Sequence, residues 1–172
     1  MSLPAKTIYL AGPISGVAYG AARDGWRQEF DDILHDTVTV KGVRYGQQNS
    51  HIHCISPMRG ERLMLDSKVV EPGAEFRSDH HIENPKGILT RDAHDVATCD
   101  LIVANFLGAT RPSIGTAAEF GMAYVLRKPV VLIMEPEGNP HHHGFITEIA
   151  CYWVHDLDKA ADIASVLLTP GI

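Results

Sequence analysis

Residues 101–106 read LIVANF, and this short apolar stretch decides the fold class. It lacks the alternation of polar and apolar residues of a half-exposed strand, so it is typical of a strand covered on both faces. Other strand-like runs lie on either side of it, with helical patterns between them. The predicted strands are 7–11, 51–56, 101–106, 129–134 and 152–154, and the predicted helices are about 21–34, 88–99, 116–127 and 158–168. This alternation predicts an α/β fold, an open sheet of about five mostly parallel strands with helices on both faces.

Two stretches interrupt the alternation. Residues 41–48 fit either a short extra strand or a loop, and both interpretations stay open. Residues at about 66–87 are rich in Glu, His, Asp and Pro and are longer than an ordinary connection, which predicts a lid or a partly disordered excursion. A length of 172 residues with 45% hydrophobic residues suits one domain, residues 1–172.

Charge and cysteine content narrow the class of partner. A formal net charge of -6 argues against nucleic acid or an anionic membrane and favours small molecules or proteins. Cys54, Cys99 and Cys151 show neither a disulfide framework nor zinc spacing, and we interpret them as buried thiols in a reducing compartment. The first apolar run is too short for a signal sequence, and no run approaches the ~18 apolar residues of a membrane span. We therefore expect a cytoplasmic protein.

Three loops follow predicted strand ends, where ligands bind in open α/β sheets: residues 12–16, 107–113 and 135–138. The first, GPISG, has glycines that let backbone amides approach a ligand, but it lacks the dinucleotide spacing and the lysine of a P-loop. We therefore predict no cofactor. The histidines at 141–143 favour a surface loop over metal binding, so we predict no metal ion.

Two acids lie on the predicted helix at 88–99. Asp92 sits beside its apolar stripe, and two interpretations stay open: a partly exposed carboxylate near Arg91, or a site residue. Asp95 points further away from the stripe, which favours a solvated position.

A third acid, Glu119, lies in the stretch SIGTAAEFG at 113–121. Thr116 and Glu119 form a T-x-x-E pattern, which is typical of a capping box in which the glutamate reaches back to the N-cap amide. Gly115 and Gly121, with two alanines between them, leave space around the carboxylate for a ligand. Capping and catalysis both stay open for Glu119.

Three motifs occur in one order along the chain: YLAGPISG at 9–16, RD at 91–92 and SIGTAAEFG at 113–121. Together they resemble the nucleoside 2-deoxyribosyltransferase superfamily, which includes deoxynucleoside 5′-monophosphate N-glycosidases. The resemblance implies a flavodoxin-like or Rossmann-like sheet. It also implies that Glu119 is the nucleophile on the anomeric carbon of the sugar, that Asp92 gives or relays a proton to the leaving base, and that the Tyr9 hydroxyl orients Glu119.

The resemblance leaves the 5′ end of the substrate open. Transferases acting on nucleosides commonly have an aspartate where this chain has Ser113, whereas the nucleotide-hydrolysing branch has a serine there that helps to hold a 5′-phosphate. That branch also has a serine and an arginine in the first-strand turn, where this chain has Pro13 and Ser15. Gly16 can join Ser15 and Ser113 in a small anion nest. The full set of expected substrate-binding residues is Gly12, Ser15, Gly16, Asn105, Ser113 and Gly115, with an ordinary strand-end role equally open for Asn105.

Three functions follow from these patterns. The first is a nucleoside 2-deoxyribosyltransferase that takes a nucleoside or nucleotide and a free nucleobase. The second is a nucleoside 5′-monophosphate N-glycosidase, and the third is a non-catalytic nucleotide sensor in which Glu119 only caps a helix. Family members resemble one another in forming oligomers whose neighbouring subunit completes the pocket, often through the region that matches 143–148, so a homodimer or higher homo-oligomer is expected.

Overall fold

The structure is a computed structural model that describes residues 3–14, 19–35, 39–40, 43–44, 49–59 and 84–169. Its strands are β1 (Lys6–Ala11), β2 (Thr39–Val40), β3 (Val43–Arg44), β4 (Ile52–Ile55), β5 (Leu101–Asn105), β6 (Val130–Ile133) and β7 (Tyr152–Val154). Its helices are α1 (Tyr19–His35), α2 (Pro85–Thr98), α3 (Ile114–Val125), α4 (Gly144–Ile149) and α5 (Leu157–Leu168). Outside β2 and β3, strands and helices alternate as the sequence predicts.

Five strands form one sheet in the order β4-β1-β5-β6-β7, and every neighbouring pair is parallel. Counted along the chain, these strands lie in the order 2-1-3-4-5, which is the flavodoxin-like order. The predicted fold class is therefore confirmed. Because β4 and β5 lie on opposite sides of β1, the strand order reverses there, and the carboxyl ends of β1 and β5 border the crevice where such folds bind ligands.

Both faces of the sheet are covered, which explains why β5 reads as a continuous apolar run. Side chains alternate along β1, so that Ile8 and Leu10 pack on the core beneath α1 and α5. Tyr9 and Ala11 face the other core, beneath α2, α3 and α4. Tyr9 is therefore directed toward the helix that carries Glu119.

Several element boundaries differ from the prediction. α2 begins at Pro85 because the side chain of Asn84 caps it by accepting a hydrogen bond from the Gly87 amide at 2.8 Å. The predicted lid at about 66–87 therefore includes the first residues of a helix, and its part from 66 to 83 lies outside the described residues. The short strands β2 and β3 pair in antiparallel fashion, which favours the strand interpretation for Val43 and Arg44, whereas 41–42 and 45–48 also lie outside the described residues.

Two further expectations need correction. Of the three cysteines only Cys99 is buried, whereas Cys54 is half-buried and Cys151 is exposed. α4 was not predicted, because a helix of six residues is too short to show a helical period. Within the described ranges, none of the helices has the length and apolar character needed to cross a bilayer.

Candidate active site

The centre of the candidate site is a hydrogen bond between β1 and α3. The Tyr9 hydroxyl donates to Glu119 Oε1 at 2.7 Å, and both side chains are buried. The strand presents Tyr9 toward α3, and the second turn of α3 presents Glu119 toward the sheet. A buried carboxylate is costly unless it is hydrogen-bonded, and the phenol supplies that bond.

The capping box predicted for Glu119 is wrong. The N-cap of α3 is Ser113, whose Oγ accepts a hydrogen bond from the Thr116 amide at 3.4 Å. α3 therefore begins two residues earlier than the predicted 116, and Glu119 lies one turn beyond the capping position. Glu119 contacts Tyr9 instead of its own helix terminus. Capping of α3 therefore does not account for the acid at position 119.

The ionisation of Glu119 is tuned by opposing effects. The net effect raises the pKa of its carboxyl group to about 7: burial and the negative charge of Asp92 raise the pKa, and the hydrogen bond from Tyr9 lowers it. The charge of Arg27 also acts to lower the pKa of Glu119. Burial and the neighbouring Glu119 raise the pKa of Tyr9, so its phenol keeps its proton and remains a donor.

Asp92 lies on α2, close enough for its charge to act on both Tyr9 and Glu119. Burial raises the pKa of its carboxyl group, while the guanidinium of Arg91, whose Nε lies 3.3 Å from Asp92 Oδ1, lowers it. The Asp92 side chain is only 14% exposed. This half-buried position agrees with the predicted place of Asp92 beside the apolar stripe of the helix.

The solvated position predicted for Asp95 is wrong, because this residue is 2% exposed. Its carboxylate forms an ion pair with Arg59, which follows β4, and Nη2 lies 2.5 Å from Oδ1. The buried side of α2 is rotated from the predicted stripe, since Leu89 is exposed and Asp95 is buried beside Val96. Sequence reasoning missed this pair because the buried face of the helix was identified from its apolar residues alone, and that criterion leaves out a buried acid.

Arg27 is a second residue that sequence reasoning missed. It is buried on α1, and its Nε and Nη2 donate to the carbonyl oxygens of Leu10 and Gly12, both at 3.2 Å. Its spacing to Phe30 and Leu34 is that of one helical face, which is the signal that could have identified it. The guanidinium thus holds the carboxyl end of β1.

The crevice between β1 and β5 brings two predicted binding residues together. A Cβ at Gly12 would lie 2.8 Å from the Asn105 carbonyl oxygen, so the two strand ends approach too closely for a side chain at this position. The Asn105 side chain accepts a hydrogen bond from the Leu107 amide at 2.9 Å and so shapes the turn after β5. This contact supports the strand-end interpretation of Asn105 through its Oδ1 atom.

The amino end of α3 is held by the loop after β6. The Ser113 amide donates to His141 Nε2 at 2.7 Å, and the His141 ring stacks on Phe106 with centroids 3.8 Å apart. His141 is thus buried, contrary to the predicted surface loop, whereas His142 and His143 are exposed. Among the described residues, no group of three His, Cys, Asp or Glu side chains is arranged to hold a metal ion.

The remaining predicted residues divide into two groups. Gly115 lies in the first turn of α3 and is exposed, and a Cβ there would meet no atom within 4 Å. Ser15 and Gly16 lie outside the described residues. The structure therefore brings together Tyr9, Asp92 and Glu119, and it places Gly12, Asn105, Ser113 and Gly115 at the ends of β1 and β5 and the start of α3.

Comparisons with known proteins agree with this architecture. The family model described as nucleoside 2-deoxyribosyltransferase matches residues 8–148. A CMP N-glycosidase from Clostridium botulinum is similar with a TM-score of 0.51 at 14% identity, over 94% of this chain and 99% of that one. A 2-deoxyribosyltransferase from Leishmania mexicana is similar with a TM-score of 0.48 at 17% identity, over 94% of this chain and 97% of that one. No curated protein sequence matches the chain. At such identities, the first of these two likenesses shows a shared fold and nothing about substrate.

Proposed function

This chain belongs to the nucleoside 2-deoxyribosyltransferase family, and we propose that it is an active member. It cleaves the N-glycosidic bond of 2′-deoxynucleosides and transfers the deoxyribosyl group to another nucleobase. The observation that carries this proposal is the 2.7 Å hydrogen bond from Tyr9 to the buried Glu119 carboxylate. Covalent glycosyl transfer needs a desolvated carboxylate held in one orientation, and this contact supports that role for Glu119.

The reaction has two balanced steps. A Glu119 carboxylate oxygen attacks the anomeric carbon, the C–N bond breaks, and its electron pair leaves with the base, which takes a proton from or through Asp92. A second base then attacks the glycosyl-enzyme, returns a proton to or through Asp92, and releases Glu119 as a carboxylate. Burial raises the pKa of Asp92, which favours the protonated form that the first step needs. Tyr9 orients Glu119 throughout and does not ionise.

Substrate binding is assigned to the surrounding backbone and polar groups. The backbone at Gly12 can approach a ligand closely, because no side chain fits there. Asn105 borders the same crevice, and Ser113 and Gly115 lie at the start of α3. We assign Ser15 and Gly16 to this site from the family motif alone.

Base exchange tests the leading proposal. We expect deoxyadenosine to form when the protein is incubated with deoxyinosine and free adenine, and chromatography measures both nucleosides. Absence of exchange and of base release across a panel of deoxynucleosides rejects the proposal. Omitting adenine shows whether water competes as acceptor.

A second candidate is hydrolysis of nucleoside 5′-monophosphates, and the structure of the α3 terminus favours it specifically. Ser113 presents a hydroxyl at a helix N-terminus, where the helix dipole stabilises an anion, whereas a carboxylate there would repel a phosphate. Release of base from a monophosphate, without release from the matching nucleoside, selects this reaction over transfer.

A nucleotide sensor is the third candidate, and one substitution separates it from an enzyme. Glu119→Ala should abolish turnover while the folded protein still binds nucleoside, because the carboxylate acts on the anomeric carbon. Glu29→Ala, which removes an exposed glutamate on α1, is the matched control and should keep full activity. Unchanged ligand affinity in both variants, together with no turnover in the wild type, identifies a sensor.

A further inference from the structure

A buried histidine near the site has no role in the proposed chemistry. His141 lies between β6 and α4, is 4% exposed, and accepts a hydrogen bond from the Ser113 amide through Nε2 at 2.7 Å. A backbone amide can only donate, so Nε2 must carry the lone pair and the proton of the neutral ring must lie on Nδ1. Nδ1 then donates to Asn139 Oδ1 at 3.1 Å. Both ring nitrogens thus have defined partners.

The partner of the ring is itself fixed in orientation. Asn139 Nδ2 donates to the Phe106 carbonyl at 2.8 Å and to Glu135 Oε2 at 2.7 Å, which leaves Oδ1 as the acceptor for His141. The other Glu135 oxygen accepts from the Gly108 amide at 2.7 Å. This series of bonds joins the loops after β5 and β6, so the position of His141 is set by both loops. Burial lowers the pKa of His141, which keeps the ring neutral.

The hydrogen bond from Ser113 is therefore a fixed anchor for the start of α3. The Ser113 hydroxyl lies 3.0 Å from Thr116 Oγ1 and caps the helix, so displacement of its backbone would also move the hydroxyl. Glu119 is held separately, because Tyr9 anchors its carboxylate from β1. Loss of the anchor should thus disturb Ser113 more than the nucleophile.

We propose that His141 is a positioning residue that holds Ser113 in place and so determines affinity for the 5′ end of the substrate. This inference rests on the proposed function and on the family resemblance, which implies that Ser113 lies at the 5′ end of the substrate. His141 itself touches neither the sugar nor the base. Its effect should fall on KM, while kcat depends on Glu119 and Asp92.

Two substitutions of His141 separate the acceptor from the ring. His141→Phe keeps an aromatic ring against Phe106 but removes the acceptor, whereas His141→Gln loses the ring and keeps an acceptor near the position of Nε2. We expect KM to rise about 5- to 30-fold in His141→Phe, the range of one lost hydrogen bond, with kcat changed by less than about threefold. His141→Gln should restore KM to within about threefold of the wild type. His142→Phe, at the exposed neighbouring position, is the control and should leave both constants unchanged.

The measurement is steady-state kinetics on the preferred substrate, with hydrogen exchange of the Ser113 amide in the same variants. The amide should exchange faster in His141→Phe and remain protected in His141→Gln. A normal KM in His141→Phe overturns the inference, because the acceptor then has no effect; a raised KM in His141→Gln would show in addition that ring packing alone matters. If His141→Phe does not fold, His141→Gln serves as the test by itself. A raised KM or an unprotected Ser113 amide in that variant then overturns the inference. A wild type inactive on every nucleoside and monophosphate instead rejects the proposed function itself, which is a distinguishable result.

Discussion

At the scale of single residues, the ionisation of Glu119 should determine the pH range of activity. A nucleophilic carboxylate must be ionised, and burial raises the pKa of Glu119 to about 7 even though the hydrogen bond from Tyr9 lowers it. We therefore expect kcat/KM to rise with pH through about pH 7 on the acid side of the profile. Tyr9→Phe removes the hydrogen bond that lowers the pKa, so the rise should move roughly one to two pH units higher. Tyr152→Phe, which alters an exposed tyrosine, is the control. An unchanged pH profile in Tyr9→Phe contradicts the assigned role.

The same carboxyl group should make stability depend on pH. Its pKa is higher in the folded protein than the 4.5 of an ordinary glutamate, so the native state binds more protons between about pH 4.5 and 7. The contribution of Glu119 to stability is therefore present below this window and is lost as the pH rises through it. Relative to the wild type, Glu119→Gln should gain about 2–3 kcal/mol between about pH 5 and about pH 8. Urea unfolding at both pH values measures the difference. Glu29→Gln, at an exposed position on α1, should show no such gain.

At the scale of elements, the close approach of β1 and β5 should tolerate no side chain at Gly12. An added Cβ would lie 2.8 Å from the Asn105 carbonyl oxygen and 3.1 Å from the Trp26 ring, and φ is +158°. Backbone must shift to relieve the first contact, so Gly12→Ala should lower the free energy of unfolding by about 1–3 kcal/mol and reduce activity. Gly144→Ala is the matched control, since its Cβ would meet nothing within 4 Å. Equal melting temperatures of the two variants would contradict this explanation.

The elements also show which features a sequence can predict. The five strands of the main sheet were predicted to within one residue at each end, because apolar runs and Gly-Pro stops are local signals. The capping box at Thr116 was wrong because Ser113 is an equally good N-cap, and only tertiary contact with His141 and Tyr9 distinguishes the two. Burial of Asp95 depends on Arg59, which lies 36 positions away, and no periodicity carries that information.

At the scale of the whole molecule, the surface of α3 suggests how two copies would associate. Ile114 and Val125 are 85% and 78% exposed, and Phe145 of the neighbouring α4 is 77% exposed. The exposed positions of α3 include no charged residue; they are Ile114, Gly115, Ala117, Ala118, Gly121, Tyr124 and Val125. A twofold interface places the same surface against itself, so a surface without charge avoids like-charge repulsion. We therefore propose that a second copy of this chain covers this surface.

Substitution on this surface tests the expected homo-oligomer. Val125→Glu should convert the oligomer to a monomer, because a twofold contact would bury two like charges near each other. Val166→Glu is the matched control: it replaces an equally small apolar residue that is 62% exposed on α5, across the sheet, and should leave the assembly intact. Light scattering coupled to size-exclusion chromatography measures both masses.

If the neighbouring subunit completes the site, as expected for the region matching 143–148, the monomeric variant should also lose activity while remaining folded by circular dichroism. A monomeric wild type would show that no such interface forms. Dissociation caused by Val166→Glu and not by Val125→Glu would place the interface on α5 instead.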